Sequence, residues 1–223
     1  MNRDVRMNPF LGKFITLEGI EGMGKSTQLH IIENYLKQKN KDVIITREPG
    51  GTPIAEALRK ILLTDTSESI ASKTELLIFY AARLQHYETK IKPALEAGTW
   101  VISDRFYDAT FAYQGGGREL GFEMIQPLHQ WVLGSFSPDL TFLFNGTVEL
   151  SLARIQARNF EQKIQKDRIE KEKVSFFERT RQAYLSLANQ QPNRFCLLDA
   201  SKSRIEIQQD IIKNLEAKLG KYL

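Results

Sequence analysis

The stretch Gly19-Ile20-Glu21-Gly22-Met23-Gly24-Lys25-Ser26 decides how this chain is read, because it matches G-x-x-x-x-G-K-[ST] in the setting that pattern requires. Upstream, Phe14-Ile15-Thr16-Leu17 reads as a buried strand. Downstream, Leu29, Ile32 and Leu36 recur at helical spacing. A glycine-rich loop between strand and helix aims successive backbone N–H groups at one point, and the helix N-terminus adds partial positive charge. The loop, Gly19 through Gly22, Met23, Gly24, Lys25, Ser26 and Thr27, is therefore expected to cradle the phosphates of a nucleotide. Lys25 is expected to reach the β- and γ-phosphates, and Ser26 has the hydroxyl that this geometry places on Mg²⁺.

Outward from the loop, apolar strands alternate with amphipathic helices. Val43-Ile44-Ile45-Thr46 predicts a second strand, followed by the turn Arg47-Glu48-Pro49-Gly50-Gly51 and a helix capped by Thr52 with Pro53 at its first position. Ser72 and Glu75 predict a capping box for a longer helix to about Ala97, closed by Gly98. Trp100-Val101-Ile102-Ser103 is the third strand, with Asp104 at its carboxyl end. Leu140 to Phe144 and Phe195 to Leu198 are the fourth and fifth. Between those two lie helices from about Thr147 to Arg158 and from Ser175 to Gln190, the second with a capping box at Ser175 and Glu178. Ser203 and Glu206 open the last helix, whose apolar face is Ile207, Ile211, Leu215 and Leu219.

Continuous apolar strands of this kind predict an α/β fold with a five-stranded parallel sheet flanked by helices on both faces. Ligands gather at the carboxyl ends of such strands, so the phosphate loop, Arg47 to Gly51 and Asp104-Arg105 should share one cleft. Asp104 is placed to support Mg²⁺, and the planar fork of Arg105 suits a second phosphate. Residues 159–173, dense in charge and poor in apolar side chains, are a solvated excursion or a lid.

The chain has 223 residues, enough for one domain at 14–223 after an N-terminal extension at 1–13, in which Met7 offers an alternative start. Its 31 Lys and Arg stand among 27 Asp and Glu, giving a formal charge of +4 without a basic block, so no polynucleotide partner is expected. A single cysteine, Cys196 in an apolar run, leaves no intrachain disulfide and suits a reducing compartment. No signal peptide or eighteen-residue apolar run is legible, which predicts a cytoplasmic protein without a membrane partner.

Five segments in order now resemble bacterial thymidylate kinase. They are the phosphate loop, Thr46-Arg47-Glu48-Pro49-Gly50-Gly51-Thr52, Phe79-Tyr80-Ala81-Ala82-Arg83, Asp104-Arg105-Phe106 and Ala112-Tyr113-Gln114-Gly115-Gly116-Gly117-Arg118. The resemblance implies a P-loop NTPase-type three-layer sandwich like that of nucleoside monophosphate kinases. It implies transfer of the γ-phosphoryl of ATP to dTMP with Mg²⁺, giving dTDP and ADP in dTTP biosynthesis, and a homodimer. By the same resemblance, Phe79 stacks on thymine, Arg83 bonds the base edge, Thr110 faces the base and Tyr113 lies against the deoxyribose. Gln114 belongs to the same pocket. Arg105 binds the acceptor phosphate beside Arg47 and Glu48, and Glu21 organises that end of the site.

Some members of the family carry an arginine inside the phosphate loop, where this chain has Gly22. Charge is then expected from a lid, about 154–173, with Arg158 first, Arg168 second and Arg154 third as catalytic candidates. The lid is several residues longer than the family's short version. Gln156, Asn145, Val148 and Phe106 depart from the residues common at their positions. Two other readings are a nucleoside monophosphate kinase of different base preference and a nucleotide-dependent switch. A switch lacks use for a second phosphate-and-base pocket, and no N-K-x-D guanine-reading motif is present.

Overall fold

Five parallel strands, β1 (Phe14–Glu18), β2 (Val43–Arg47), β3 (Trp100–Asp104), β4 (Leu140–Asn145) and β5 (Phe195–Asp199), form one sheet in the order β2-β3-β1-β4-β5. The computed structural model describes residues 10–163 and 167–223. Every residue of the central strand β1 is buried, as a strand covered on both faces requires. Thr16 of β1 keeps its hydroxyl satisfied there by Thr141 of β4, Oγ1 to Oγ1 at 2.8 Å.

The flanking helices are α1 (Lys25–Gln38), α2 (Pro53–Leu63), α3 (Ser72–His86), α4 (Lys92–Glu96), α5 (Tyr107–Thr110), α6 (Phe122–Leu133), α7 (Val148–Gln162), α8 (Val174–Gln190) and α9 (Arg204–Leu219). The expected apolar faces of α1 and α9 are buried, Leu29, Ile32 and Leu36 on one and Ile207, Ile211, Leu215 and Leu219 on the other. Thr52 caps α2 with Pro53 in its first turn, Thr147 caps α7, and Ser203 and Glu206 form the reciprocal box on α9.

Two expected capping boxes do not form. The residue before α3 is Ala71, and Glu75 turns instead into a buried ion-pair cluster with Arg118 and Arg168. At α8 the helix begins one residue early, after Lys173, leaving Ser175 inside its first turn with no capping bond from the residue before the helix. The single long helix to Ala97 is also interrupted by a π-helical turn at Tyr87–Ile91 before α4. Pro93, which has no N–H to donate, follows that turn one residue later, after Lys92.

The segment after Asp104-Arg105-Phe106 is helical where sequence periodicity gave no helix. α5 passes into a π-helical stretch, Phe111–Gly117, and α6 follows. Its triple glycine is a packing device. A Cβ on Gly116 would fall 2.5 Å from Ala183 Cβ, and one on Gly117 would fall 2.6 Å from the Phe176 ring. Both neighbours belong to α8, so the glycines let two helical segments approach closely.

Of the N-terminal extension, Met1 to Arg6 and Met7 lie outside the described residues. Its last residues are part of the packed structure: Gly12 N–H donates to Leu95 at 2.9 Å, and Lys13 pairs with Asp139 at 3.5 Å. The lid region is helical through Gln162, and residues 167–173 fold back in turns against α2 and α3. Among the described residues, no helix is long and apolar enough to cross a membrane.

Candidate active site

β1 and β3 are adjacent, and in their register Leu17 faces Asp104, so the loops leaving both strands open on the same edge of the sheet. The phosphate loop leaves β1 and enters α1 through Gly24, at φ 86°, with Gly22 at φ 72°. Both angles favour glycine. Lys25 Nζ donates to the carbonyls of Gly19 and Ile20 at 3.1 and 3.0 Å, folded over its own loop. Burial, followed by the charge of Arg105, pushes the Lys25 amine below its usual pKa, while Glu21, Asp104 and Glu18 oppose this.

Ser26 Oγ donates to Asp104 Oδ2 at 3.3 Å, and Asp104 Oδ1 is buried without a partner among the described residues. A hydroxyl beside an unsatisfied carboxylate oxygen is a hard-oxygen donor pair suited to a divalent cation. Among the described residues no cluster of three or more His, Cys, Asp or Glu could hold a metal by itself. Such a pair fits Mg²⁺, which is bound by one or two protein oxygens together with phosphate oxygens and water.

Arg105 stands at the start of the next loop with φ 71°, a left-handed conformation that strains a non-glycine residue. It is held on every side. Its N–H donates to Leu17 at 3.0 Å, and the Ser103 hydroxyl donates to its carbonyl at 2.7 Å. The guanidinium donates to Glu21 at 2.8 Å, Tyr113 at 2.9 Å and Tyr184 at 3.0 Å. Beneath it, fully buried Glu18 accepts from the N–H of Phe106 and from the Tyr184 hydroxyl, both at 2.7 Å. Burial, then the charge of Asp108, raises the Glu18 carboxyl to about 8. Glu21 shows the opposite outcome. Desolvation pulls it upward, but Arg105 and Lys25 outweigh that and hold it at about 2.

The end of the cleft where the base is expected is built around Arg83, which is only 2% exposed. It donates to Glu48 at 2.7 Å, Thr110 Oγ1 at 2.8 Å and the Phe106 carbonyl at 3.2 Å. Glu48 also bonds His86 Nδ1 at 3.0 Å, and Thr46 meets His86 Nε2 at 2.6 Å. Thr110 therefore acts on the cavity only through Arg83, whereas Glu48 holds Arg83 from the cavity wall, which Phe79, Tyr113 and Gln114 also line. Phe106 packs its ring edge-on against Phe14 and beneath the Arg83 guanidinium.

One cavity of about 470 Å³ brings together Glu21 through Thr27, Arg47, Glu48, Phe79, Arg83, Asp104, Arg105, Tyr113, Gln114, Arg154 and Arg158. Gly19 and Ile20 contribute through their carbonyls on Lys25, and Thr110 through Arg83, without lining it. Arg158 pairs with Glu170 and donates to Asn159 Oδ1 at 3.1 and 3.0 Å. Arg168 is not in the cavity wall. It donates to the Leu62 carbonyl at 2.8 Å and forms an ion pair with Glu75 at 2.6 Å, which clips the lid to α2 and α3.

The sequence departures are accommodated locally. Asn145 Oδ1 accepts from Arg181 at 2.8 Å, Val148 is fully buried, and Gln156 is exposed on α7. Sequence reasoning missed Glu18, Tyr184 and Arg59, whose guanidinium lines the cavity and donates to Pro49 at 2.8 Å. Only Glu18 carried a signal: an ionisable residue closing an otherwise apolar strand.

Comparison with known proteins points to one family. The family model described as thymidylate kinase matches residues 17–211. A thymidylate kinase of Vesicomyosocius okutanii is 50% identical over 206 residues, covering 92% of this chain and 98% of that one. One of Pseudomonas putida is 51% identical over 200 residues, covering 90% and 93%. The crystal structure of thymidylate kinase from Ehrlichia chaffeensis superposes with a TM-score of 0.72 at 32% identity, covering 92% of this chain and 98% of that chain.

Proposed function

The chain belongs to the thymidylate kinase family, ATP-dependent phosphotransferases that convert dTMP to dTDP, and we propose which of its residues perform the transfer. The phosphate loop and Lys25 bind the β- and γ-phosphates of ATP. Arg105 grips the phosphate of dTMP, with Arg47 beside it. Phe79 stacks on thymine, Arg83 meets the base edge, and Tyr113 lies against the sugar. The observation that supports this best is a single cavity with Lys25 and Arg105, cations on the connections that leave two neighbouring strands, and an aromatic pocket beyond them.

A phosphate acceptor is already a nucleophile at neutral pH, so no general base is required. The task left to the protein is alignment and charge neutralisation. Arg105 is suited to alignment because three fixed partners and a strained backbone leave its guanidinium little freedom. Glu21 fixes the orientation of Arg105 without cancelling the whole positive field, since Lys25, Arg154 and Arg158 face the same cavity. Arg158, with Arg154 beside it on α7, neutralises the transferring group. Ser26 and Asp104 would hold Mg²⁺, which when bound offsets charge on the β- and γ-phosphates. The turns at 167–173 help to exclude water that would otherwise accept the phosphoryl group.

The test is ADP release with MgATP and dTMP, dUMP, UMP, CMP, AMP or GMP. Preference for dTMP is expected. If another monophosphate won, the base-pocket assignments would fall, and if no acceptor stimulated release, the whole reading would.

The working form is a cytoplasmic homodimer. Support for the dimer comes from exposed Ile54 and Ile61 on α2, Leu77 on α3, and Met124 and Trp131 on α6. These helices pack side by side, α2 on α3 and α3 on α6. Large apolar side chains gathered on adjoining elements are the mark of an interaction face.

A further inference from the structure

Gln114 lines the cleft, yet its amide is not free to turn. Its Nε2 donates to Glu75 Oε1 at 2.8 Å. The Glu75 side chain is wholly buried and accepts from Arg118 at both oxygens, each at 3.2 Å, with Arg168 at 2.6 Å from Oε2. Burial pulls this carboxyl upward, but the bonds from Arg118 and Gln114 and the charge of Arg168 hold it below its usual pKa. A carboxylate only accepts hydrogen bonds. Turning the Gln114 amide over would set two acceptor oxygens against each other in a buried place, so the NH₂ faces Glu75 and Oε1 faces away from it. No described residue donates to that oxygen.

We propose that Glu75 is a specificity-determining positioning residue: by fixing the Gln114 amide with its oxygen toward the cleft, it selects pyrimidine-2,4-diones over 4-aminopyrimidines. A dione such as thymine carries a ring N–H that meets an acceptor. The corresponding ring nitrogen of cytosine is itself an acceptor and would face Oε1 unpaired. Glu75 never touches the base; it acts through Gln114. The proposal rests on the dTMP reading above and adds to it the origin of one element of base choice.

The experiment measures kcat/KM for dTMP, dUMP and dCMP on the full chain and on Gln114→Leu, Glu75→Gln, Glu75→Asp and the Glu75→Gln/Gln114→Leu double variant. Removing the acceptor oxygen is expected to lower the dTMP-to-dCMP ratio at least about tenfold, the cost of mismatching one buried hydrogen bond. Glu75→Gln should lower it too, because a glutamine presents either end and lets Gln114 turn. Glu75→Asp keeps the charge for Arg118 and Arg168 but retracts from Gln114, so a similar drop is expected in a variant whose ion pairs survive. In the double variant the change at 75 should add nothing further, and the dTMP-to-dUMP ratio should stay constant throughout because both bases are diones. A merely structural Glu75 would lower kcat/KM for all three acceptors by one factor and leave their ratios intact, which would overturn the proposal. An unchanged ratio in Gln114→Leu would overturn it as well. Failure of the unsubstituted chain to phosphorylate dTMP would instead overturn the reading beneath it.

Discussion

Lys25 and Glu21 sit four residues apart in one loop, and their environments assign them opposite tasks. Lys25 is buried against two carbonyls that are weak substitutes for phosphate oxygens, so nucleotide binding gives its charge a better partner. Lys25→Ala is expected to cut phosphoryl transfer by orders of magnitude with the fold intact, as circular dichroism beside ADP release would show; near-normal turnover would refute the phosphate-loop assignment. Glu21 acts through Arg105. Its carboxyl is lowered from 4.5 to about 2, so its contribution to stability is complete above pH 4.5 and fades as pH falls toward 2. With 33% of the side chain exposed, screening limits that contribution to about 1 kcal/mol. Urea titrations of Glu21→Gln should therefore show a deficit of that size at pH 7 that narrows between pH 4.5 and 3. A pH-independent gap would remove Arg105 as its cause. The loop residues were legible because their chemistry is local, a pattern of eight residues between strand and helix. Tyr184 was not, since its place under Arg105 depends on a contact between residues far apart in the chain.

At the scale of elements, α7 links the phosphate loop to the lid. It packs so closely on the loop that a Cβ at Gly22 would fall 2.7 Å from the Ser151 carbonyl and 3.4 Å from Arg154 Cβ. Space beside the loop is thus taken by the helix that carries Arg154 and Arg158, so cationic side chains reach the cavity from α7 and not from position 22. Arg158→Ala is expected to lower kcat by about 10³-fold or more with a much smaller effect on dTMP binding, because its partner charge develops in the transition state. Unchanged kcat with a raised KM would make it a binding residue. The π-helical stretch against α8 yields a second expectation. Gly116→Val would press on Ala183 and the Arg179 carbonyl, costing about 2 kcal/mol in urea unfolding, since a backbone oxygen cannot move aside cheaply. A midpoint equal to that of the parent would mean α8 gives way more easily than its packing implies. Strands and amphipathic helices could be read from periodicity. The 107–117 region could not, because three glycines signal a loop locally and become helical only through α8.

Across the whole molecule, what positions the chemistry and what is left uncovered lie on related elements. α3 supplies Phe79 and Arg83 to the cleft, and the same helix carries exposed Leu77 next to α2 and α6. Trp131 on α6 is 79% exposed, and leaving an indole in water forgoes a few kcal/mol of burial. A two-fold pairing through these helices would cover each apolar residue with its counterpart, because an isologous interface uses one patch twice. It would also brace α3 behind the base pocket. Ile61→Glu combined with Trp131→Glu is expected to convert a dimer into a folded monomer in sedimentation equilibrium, since neither side chain belongs to the buried core. If association acts through α3, the monomer should show a raised KM for dTMP while its affinity for ATP, bound at the loop between β1 and α1, stays unchanged. A parent chain that sediments as a monomer at micromolar concentration would sink the dimer, whereas a dimer untouched by the two glutamates would place its interface on another face.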